Sequence, residues 1–175
     1  MLSSLDHVFE FCSRDAGFNV DPVLDRRGGN TCPDDFEAAT AKDDAGNTLG
    51  LCFRNLGAVG KDVPWSYCSA MCNSLGVNAT LPVLQNEAEI KFAAQVARDS
   101  RANSIWLGLT DLETEGEWRW IDGKVANQTE VPWYGGSPLD KPGLYHEDSC
   151  GRDCGKFFPA RDAEEMFSTS QCGVE

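Results

Sequence analysis

Two stretches in the middle of the chain restrict what it can fold into. Residues 104–111 are mostly apolar and end at Asp111, and residues 115–123 carry Trp118 and Trp120 two positions apart. Alternate residues of a strand point to the same face, so both indoles belong on one side of a second strand. Rings of this size need a large apolar partner. We therefore predict two strands joined by an acidic turn, with both indoles packed against the first strand.

Composition narrows the class of protein. A chain of 175 residues suits one domain with an appendage. A formal net charge of -13 disfavours nucleic acid as a partner, because phosphates must be neutralised by cations, and it disfavours anionic membrane surfaces. The acidity instead suits a soluble surface that binds cations.

Eight cysteines in a chain of this size indicate disulfides and an oxidising compartment. The alternative is a cytosolic protein with free or metal-bound thiols. Sequons at Asn78 and Asn127 favour the extracellular interpretation and predict glycosylation there. Residues 1–19 lack the features of a signal peptide, and no apolar run reaches membrane-spanning length. We expect a piece of a longer secreted protein or of an ectodomain.

Residues 1–31 are predicted to be a leader or linker, or the remnant of a preceding module. Leu5, Val8 and Phe9 have helical spacing, and Pro22 lies in a segment that is typical of linkers.

From residue 32 onwards the sequence predicts a closely spaced series of strands and helices. Local patterns predict a strand at 49–54, a helix at 65–75, a strand-like segment at 80–84 and a helix at 87–98 capped by Asn86. From residue 125 to 163 the sequence shows no helical or strand periodicity, and glycine, proline and charged residues are frequent. So long a loop within a compact domain indicates function or disorder, and its prolines and cysteines favour an ordered functional loop.

Several motifs together resemble the long form of the C-type lectin-like domain. The Trp-Ile-Gly-Leu core of that family corresponds to residues 106–109, and its opening motif to residues 32–36. Its first-helix signature corresponds to Trp65 followed by Cys72. Its Glu-Asp-Cys corresponds to residues 147–150 with one insertion, and its Trp-Asn-Asp-x-x-Cys to residues 167–172. The resemblance covers residues 32–175. It implies an α+β fold with two helices flanking small antiparallel sheets and a long ligand-bearing loop region.

The resemblance also implies disulfides. Cys32 is expected to pair with Cys52, and Cys172 with Cys150 or Cys154. In the family the helix cysteine bonds the final strand, which the chain is expected to lack because residue 172 aligns with the third family cysteine. The partner of Cys72 therefore stays open.

Sugar-binding members of the family hold calcium through a Glu-Pro-Asn or Gln-Pro-Asp triplet and a later Asn-Asp. Here the triplet reads Ser137-Pro138-Leu139, and Ser168-Thr169 takes the place of Asn-Asp. Calcium requires six to eight oxygen ligands, and leucine supplies none. The usual calcium–sugar site is expected to be absent.

A second calcium position of the family is better matched. Its oxygen ligands, which come from three loops and suit calcium rather than zinc, would be Asp111, Glu115, Asp140, Glu147 and Asp148. The alternative is that these are solvated loop acids. Zinc at His146, Cys150 and Cys154 is a weaker hypothesis, because it has no evident fourth ligand.

No catalytic motif accompanies these features, so we predict that the chain is not an enzyme. The predicted function is non-catalytic extracellular recognition of a glycan or glycoconjugate without the usual triplet. Trp133, Tyr134 and Tyr145 are candidates for stacking on sugar rings, although Trp133 would alternatively be buried in the loop's own core. The other prediction is a protein-binding adhesion or matrix-type module with a structural calcium site.

Overall fold

The computed structural model describes thirteen segments of the chain: residues 8–15, 32, 36–39, 42, 45–46, 51–58, 64–75, 79–84, 86–99, 104–127, 131–133, 151–159 and 166–172. The elements in chain order are β1 (Val8–Asp15), β2 (Glu37–Ala38), β3 (Leu51–Ala58), α1 (Trp65–Ser74), α2 (Glu87–Asp99), β4 (Ser104–Thr110), β5 (Arg119–Trp120), β6 (Cys154–Phe158) and β7 (Met166–Ser170). Two helices and a largely antiparallel sheet confirm the predicted α+β class.

The described strands form one sheet in the order β2-β3-β1-β4-β6-β7, with β5 paired to β4. All pairings are antiparallel except β1 with β4, which is parallel. The helical spacing of Val8 and Phe9 was misleading, because both residues lie in β1. Three apolar residues cannot offset the free-energy cost of starting a helix. In the sheet, by contrast, β1 pairs with two neighbouring strands, β3 and β4. The prediction that residues 1–31 are a leader or module remnant stays a prediction.

Strand β4 is buried on both of its faces. Ile105, Leu107 and Leu109 lie in one core cluster with α2, and Trp106 lies in a second cluster with α1. The first cluster also contains Trp118 and Trp120. Both indoles are thus packed on the same side of β4, as predicted. Burial of such rings contributes roughly 1.5–3 kcal/mol each.

The two helices begin where the sequence predicts. Helix α1 starts at Trp65, whose indole Nε1 donates a hydrogen bond to the Leu107 carbonyl at 2.7 Å. Helix α2 is capped by Asn86: Oδ1 accepts from the Glu89 backbone N–H at 3.0 Å, and Nδ2 donates to the Glu89 carboxylate at 2.7 Å. The segment 80–84 forms no strand among its described residues, with only an isolated bridge at Thr80.

The predicted loop at 125–163 is wrong at its end, because β6 lies inside it. Glycine and lysine at positions 155 and 156 hide the strand pattern, yet Phe157 is fully buried. The Lys156 ammonium lies 4.0 Å from the centre of the Trp106 ring. That cation–π contact accommodates a charge in a strand that packs on the core.

Replacing Gly108 with alanine should destabilise the fold more than the same change at Gly155. A Cβ at Gly108 would lie 2.6 Å from the Ile121 side chain and 3.1 Å from the Leu81 carbonyl, whereas a Cβ at Gly155 meets only the Leu109 side chain at 3.0 Å or more. We expect Gly108→Ala to cost about 1–3 kcal/mol, measured by urea unfolding. A larger loss for Gly155→Ala would contradict this account of the packing around β4.

Candidate functional site

Two disulfides fix the ends of the domain's strands. One joins Cys32 to Cys52, with Cα atoms 5.5 Å apart, and the other joins Cys154 to Cys172 at 5.2 Å. Of the two partners left open for Cys172, the structure therefore contains Cys154. The residue directly before that bonded cysteine is Asp153. If the family's Glu-Asp-Cys is aligned on this cysteine, its Asp falls on Asp153; the predicted role of Asp148, aligned on Cys150, stays a prediction.

Asp153 lies beside Asp111, which ends the run of residues 104–111. Thr110 of β4 is paired with Cys154 of β6. Because the strands are antiparallel, the next two residues opposite each other are Asp111 and Asp153. The Asp111 backbone N–H donates to the Asp153 carbonyl at 3.2 Å. The two carboxylates, which are far apart in sequence, thereby emerge at the same end of the sheet.

The turn after β4 shapes the surroundings of Asp111. Its side chain is buried, and Oδ2 accepts a hydrogen bond from the Gly116 backbone N–H at 2.9 Å. Gly116 has a φ of 78°, a left-handed conformation that glycine adopts without strain. Glu115 lies in the same turn with its side chain exposed. Of the five predicted calcium ligands, this turn contains Asp111, which is buried, and Glu115, which is exposed.

Asp153 is held in an unusual environment for a carboxylate. The side chain is half-buried, and its Oδ1 is buried without a hydrogen-bond donor among the described residues. Desolvation raises the pKa of Asp153 above its usual value. A Cβ at Gly151 would overlap this carboxylate, so the glycine permits its close approach. A buried oxygen that lacks a donor suits a hard cation such as calcium.

The other predicted site residues are distributed unevenly. Those outside the described residues are Asn78, Tyr134, Ser137, Pro138, Leu139, Asp140, Tyr145, Glu147 and Asp148. Within the described segments, no group of three or more His, Cys, Asp or Glu side chains is gathered as a metal site. Sequence reasoning missed Asp153, although an acid directly before Cys154 was the available signal.

Trp133 and Thr169 both turn inward. The Trp133 ring is half-buried and packs edge-on against Trp118, with ring centres 5.2 Å apart, and against Phe167 at 6.3 Å. Thr169 is 5% exposed, and its neighbour Ser168 is half-buried. The Thr169 hydroxyl, which the predicted alignment sets at a calcium-binding position of the family, therefore lies in the interior of the domain. The stacking role of Trp133 stays a prediction.

A cavity of about 420 Å³ opens between the start of α2 and the segment that follows β5. Its lining mixes apolar and polar side chains: Leu84, Asn86, Glu87, Ile90, Trp120, Lys124, Val125, Asn127, Val131 and Pro132. Val125 is 58% exposed, and Asn127 is the residue of the second sequon. The cavity is partly open to solvent, and its walls are both polar and apolar.

Comparison with known proteins identifies the family. The model of the Lectin C-type domain matches residues 61–175. Hepatic lectin of Gallus gallus is 25% identical over 108 residues, which are 62% of this chain and 46% of that protein. C-type lectin domain family 4 member D of Homo sapiens is 33% identical over 90 residues, which are 48% of this chain and 40% of that protein. The chain thus spans less than half the length of these two relatives.

Solved structures show the same fold. The carbohydrate-recognition domain of the mouse scavenger receptor C-type lectin superposes with a TM-score of 0.56 at 22% identity, covering 82% of this chain and 89% of that one. The C-type lectin CEL-I from Cucumaria echinata gives 0.57 at 22% identity, covering 81% and 89%. The chain belongs to the C-type lectin family, whose members are non-enzymatic recognition modules. Among the described helices, neither combines the length and apolarity needed to span a bilayer.

Replacing Asp153 with asparagine should raise the melting temperature at neutral pH in the presence of chelator. Because burial raises the pKa of Asp153, the folded state binds its proton more tightly than the unfolded state, and ionisation costs stability as the pH rises through the folded pKa. Asparagine does not ionise, so the variant does not lose stability as the pH rises through this range. We expect its advantage in thermal melts to shrink as the pH falls through the raised pKa of Asp153, and to be lost below the ordinary pKa of aspartate, about 4. An advantage that is constant from neutral to acidic pH would contradict the assignment.

Proposed function

We propose that this chain is an extracellular recognition domain that binds a glycan or glycoconjugate without the calcium–sugar triplet. Its membership of the C-type lectin family supports the ligand class. The burial of Thr169 is the observation that carries the calcium-independent part. Calcium at the usual sugar site needs exposed oxygens that the sugar can share, and a hydroxyl inside the core supplies none.

The cavity beside α2 is the ligand site that we propose in the described part of the domain. Its apolar members, such as Val125 and Pro132, suit the C–H faces of a sugar ring. Its polar members, such as Asn86 and Lys124, suit the hydroxyls. About 420 Å³ accommodates a short saccharide rather than a long chain.

Changing Val125 to aspartate should weaken glycan binding by roughly tenfold, because a charge replaces an apolar wall of the cavity. Leu112→Asp is the matched control: Leu112 is an aliphatic side chain of similar exposure, 55% against 58%, but it does not line the cavity. The measurement is a glycan array followed by titration of the strongest ligand, each in calcium and in chelator.

The outcomes of this comparison separate the alternatives. Equal losses in the two variants would place the ligand elsewhere. Loss of binding in chelator would contradict the calcium-independent part of the proposal. The absence of any glycan ligand, together with retention of the fold, would favour a protein ligand.

The second candidate function is a protein-binding adhesion or matrix-type module that holds a structural calcium ion. The neighbouring acids Asp111 and Asp153 favour it, because Asp153 Oδ1 is buried without a donor among the described residues. Asp111, Asp153 and Glu115 would supply oxygens, and Asp140, Glu147 and Asp148 are proposed as further ligands from the loop. The ion would neutralise neighbouring carboxylates and order the loop that presents the protein-binding surface.

Calcium should raise the melting temperature of the oxidised protein relative to chelator. At a hundredfold excess over Kd the gain is about 2.7 kcal/mol, or roughly 5–10 °C. We expect Asp153→Asn to abolish this shift, and Asp99→Asn, a control at an exposed aspartate of α2, to retain it. Coincident melts in calcium and chelator would exclude the calcium site. A shift lost only in Asp148→Asn would restore the alignment based on Cys150.

A further inference from the structure

The second sequon begins in the wall of the cavity beside α2. Asn127 is one of the residues that line this cavity, and it is exposed to solvent. Val125 and Val131, which lie on either side of it in sequence, line the cavity too. The sequence Asn127-Gln128-Thr129 directs N-glycosylation where its asparagine is accessible. A glycan on Asn127 would therefore begin at the cavity itself.

Hydrogen bonds on both sides hold the backbone of Asn127 in place. The N–H of its neighbour Ala126 donates to the Trp118 carbonyl at 2.8 Å, and Ala126 is itself buried in the core. On the other side, the Asn127 carbonyl accepts from the Val131 N–H at 3.2 Å. The attachment point of a glycan is thus fixed relative to the core, so its first sugars stay within reach of the cavity.

The two charged side chains of the lining, Lys124 and Glu87, are each paired with an opposite charge. Lys124 Nζ lies 3.2 Å from the Asp122 carboxylate, and the Glu87 carboxylate lies 2.6 Å from Lys91 Nζ. The other residues that form the described lining are uncharged. Such a cavity is electrostatically better matched to a neutral sugar than to an anionic one. The N-acetylglucosamine and mannose of an N-glycan core are neutral.

Attachment to the chain raises the local concentration of these sugars at the cavity. A ligand that is joined through a short flexible linker has an effective concentration in the millimolar range. The Asn127 side chain and the bonds of the first sugar form such a linker. At an effective concentration of about 1 mM, a sugar with a Kd of about 0.5 mM fills the cavity roughly two-thirds of the time. Weak contacts therefore suffice for occupancy.

We propose that an N-glycan on Asn127 occupies the cavity through its neutral core and excludes free glycans from it. The regulation rests on the glycan-binding function proposed above, since the same cavity would hold both ligands. Attachment joins Asn127 Nδ2 to C1 of the first N-acetylglucosamine of an oligosaccharide diphospholipid. The bond from C1 to the diphosphate oxygen breaks, the diphospholipid leaves with the electron pair, and Nδ2 loses a proton.

Two variants of the full chain, made in a secretory host, test the occupancy. Thr129→Ala removes the sequon and leaves Asn127 unchanged, whereas the matched control Thr129→Ser retains the sequon. Mass spectrometry of the glycopeptides first establishes which forms carry a glycan on Asn127. We expect a glycan on the unsubstituted chain and on Thr129→Ser, and none on Thr129→Ala.

The rate of acylation of Lys124 by an amine-reactive reagent then reports whether the cavity is covered. Lys91 is the internal reference: it is not among the lining residues, its side chain is 60% exposed against 62% for Lys124, and each lysine is paired with an acid. We expect the glycan to slow acylation of Lys124 by roughly threefold, as occupancy for two-thirds of the time implies, and to leave Lys91 unchanged. Enzymatic removal of the glycan from the folded, unsubstituted chain should restore the faster rate, which keeps the test valid if Thr129→Ala does not fold.

Glycan arrays, followed by titration of the strongest ligand, complete the test. Thr129→Ala should bind that ligand roughly threefold more tightly than the glycosylated chain, because its cavity is not partly filled. Equal acylation of Lys124 with and without the glycan would overturn the inference, even where both forms bind a free glycan and the proposed function stands. An Asn127 without a glycan in secreted material, or equal or tighter binding by the glycosylated chain, would overturn it as well. Protection of Lys124 in a chain that binds no free glycan in either form would support occupancy by the chain's own glycan and contradict the proposed recognition function.

Discussion

Burial of β4 on both faces is the constraint on which the rest of the structure depends. One face of this strand requires the indoles, α2 and the phenylalanines of β6 and β7. The other face requires α1 and Leu81. A strand that is covered on both sides needs apolar residues at successive positions and space for backbones to approach. Gly108 provides that space between Leu81 and Ile121. The helices have little freedom in where they dock, because each completes one side of this strand.

The same strand also places the candidate site. Asp111 follows β4 directly, and pairing of β4 with β6 sets Asp153 beside it. The disulfide from Cys154 to Cys172 then ties β6 to the end of β7. The acidic end of the sheet is therefore held by strand pairing and a disulfide, whereas the cavity beside α2 is bounded by exposed side chains such as Val125. The two candidate functions use these two different places. A structural calcium ion requires carboxylates at fixed positions, and glycan binding requires an open surface with polar and apolar groups.

Much of the fold was predictable because its signals are local. The indole spacing, the start of α1 at Trp65 and the Asn86 cap of α2 each depend on residues within a few positions of one another. The predictions that failed, at β1 and β6, concern strands whose conformation depends on pairing with residues far away in the sequence. Strand β6 is five residues long and contains Gly155 and Lys156, so its identity comes from β4 and β7 rather than from its own pattern. Strand β1 likewise owes its conformation to β3 and β4.

The sequence by itself determined the family, the α+β class and the two strands that bury Trp118 and Trp120, because periodicity and large apolar side chains leave few ways to form a core. Tertiary structure alone decided which cysteine bonds Cys172, and hence which acid accompanies Asp111. It also decided that residues before position 32 contribute a strand to the sheet. Both outcomes depend on contacts between residues that are far apart along the chain, and the free energy of such contacts is not encoded in any local pattern.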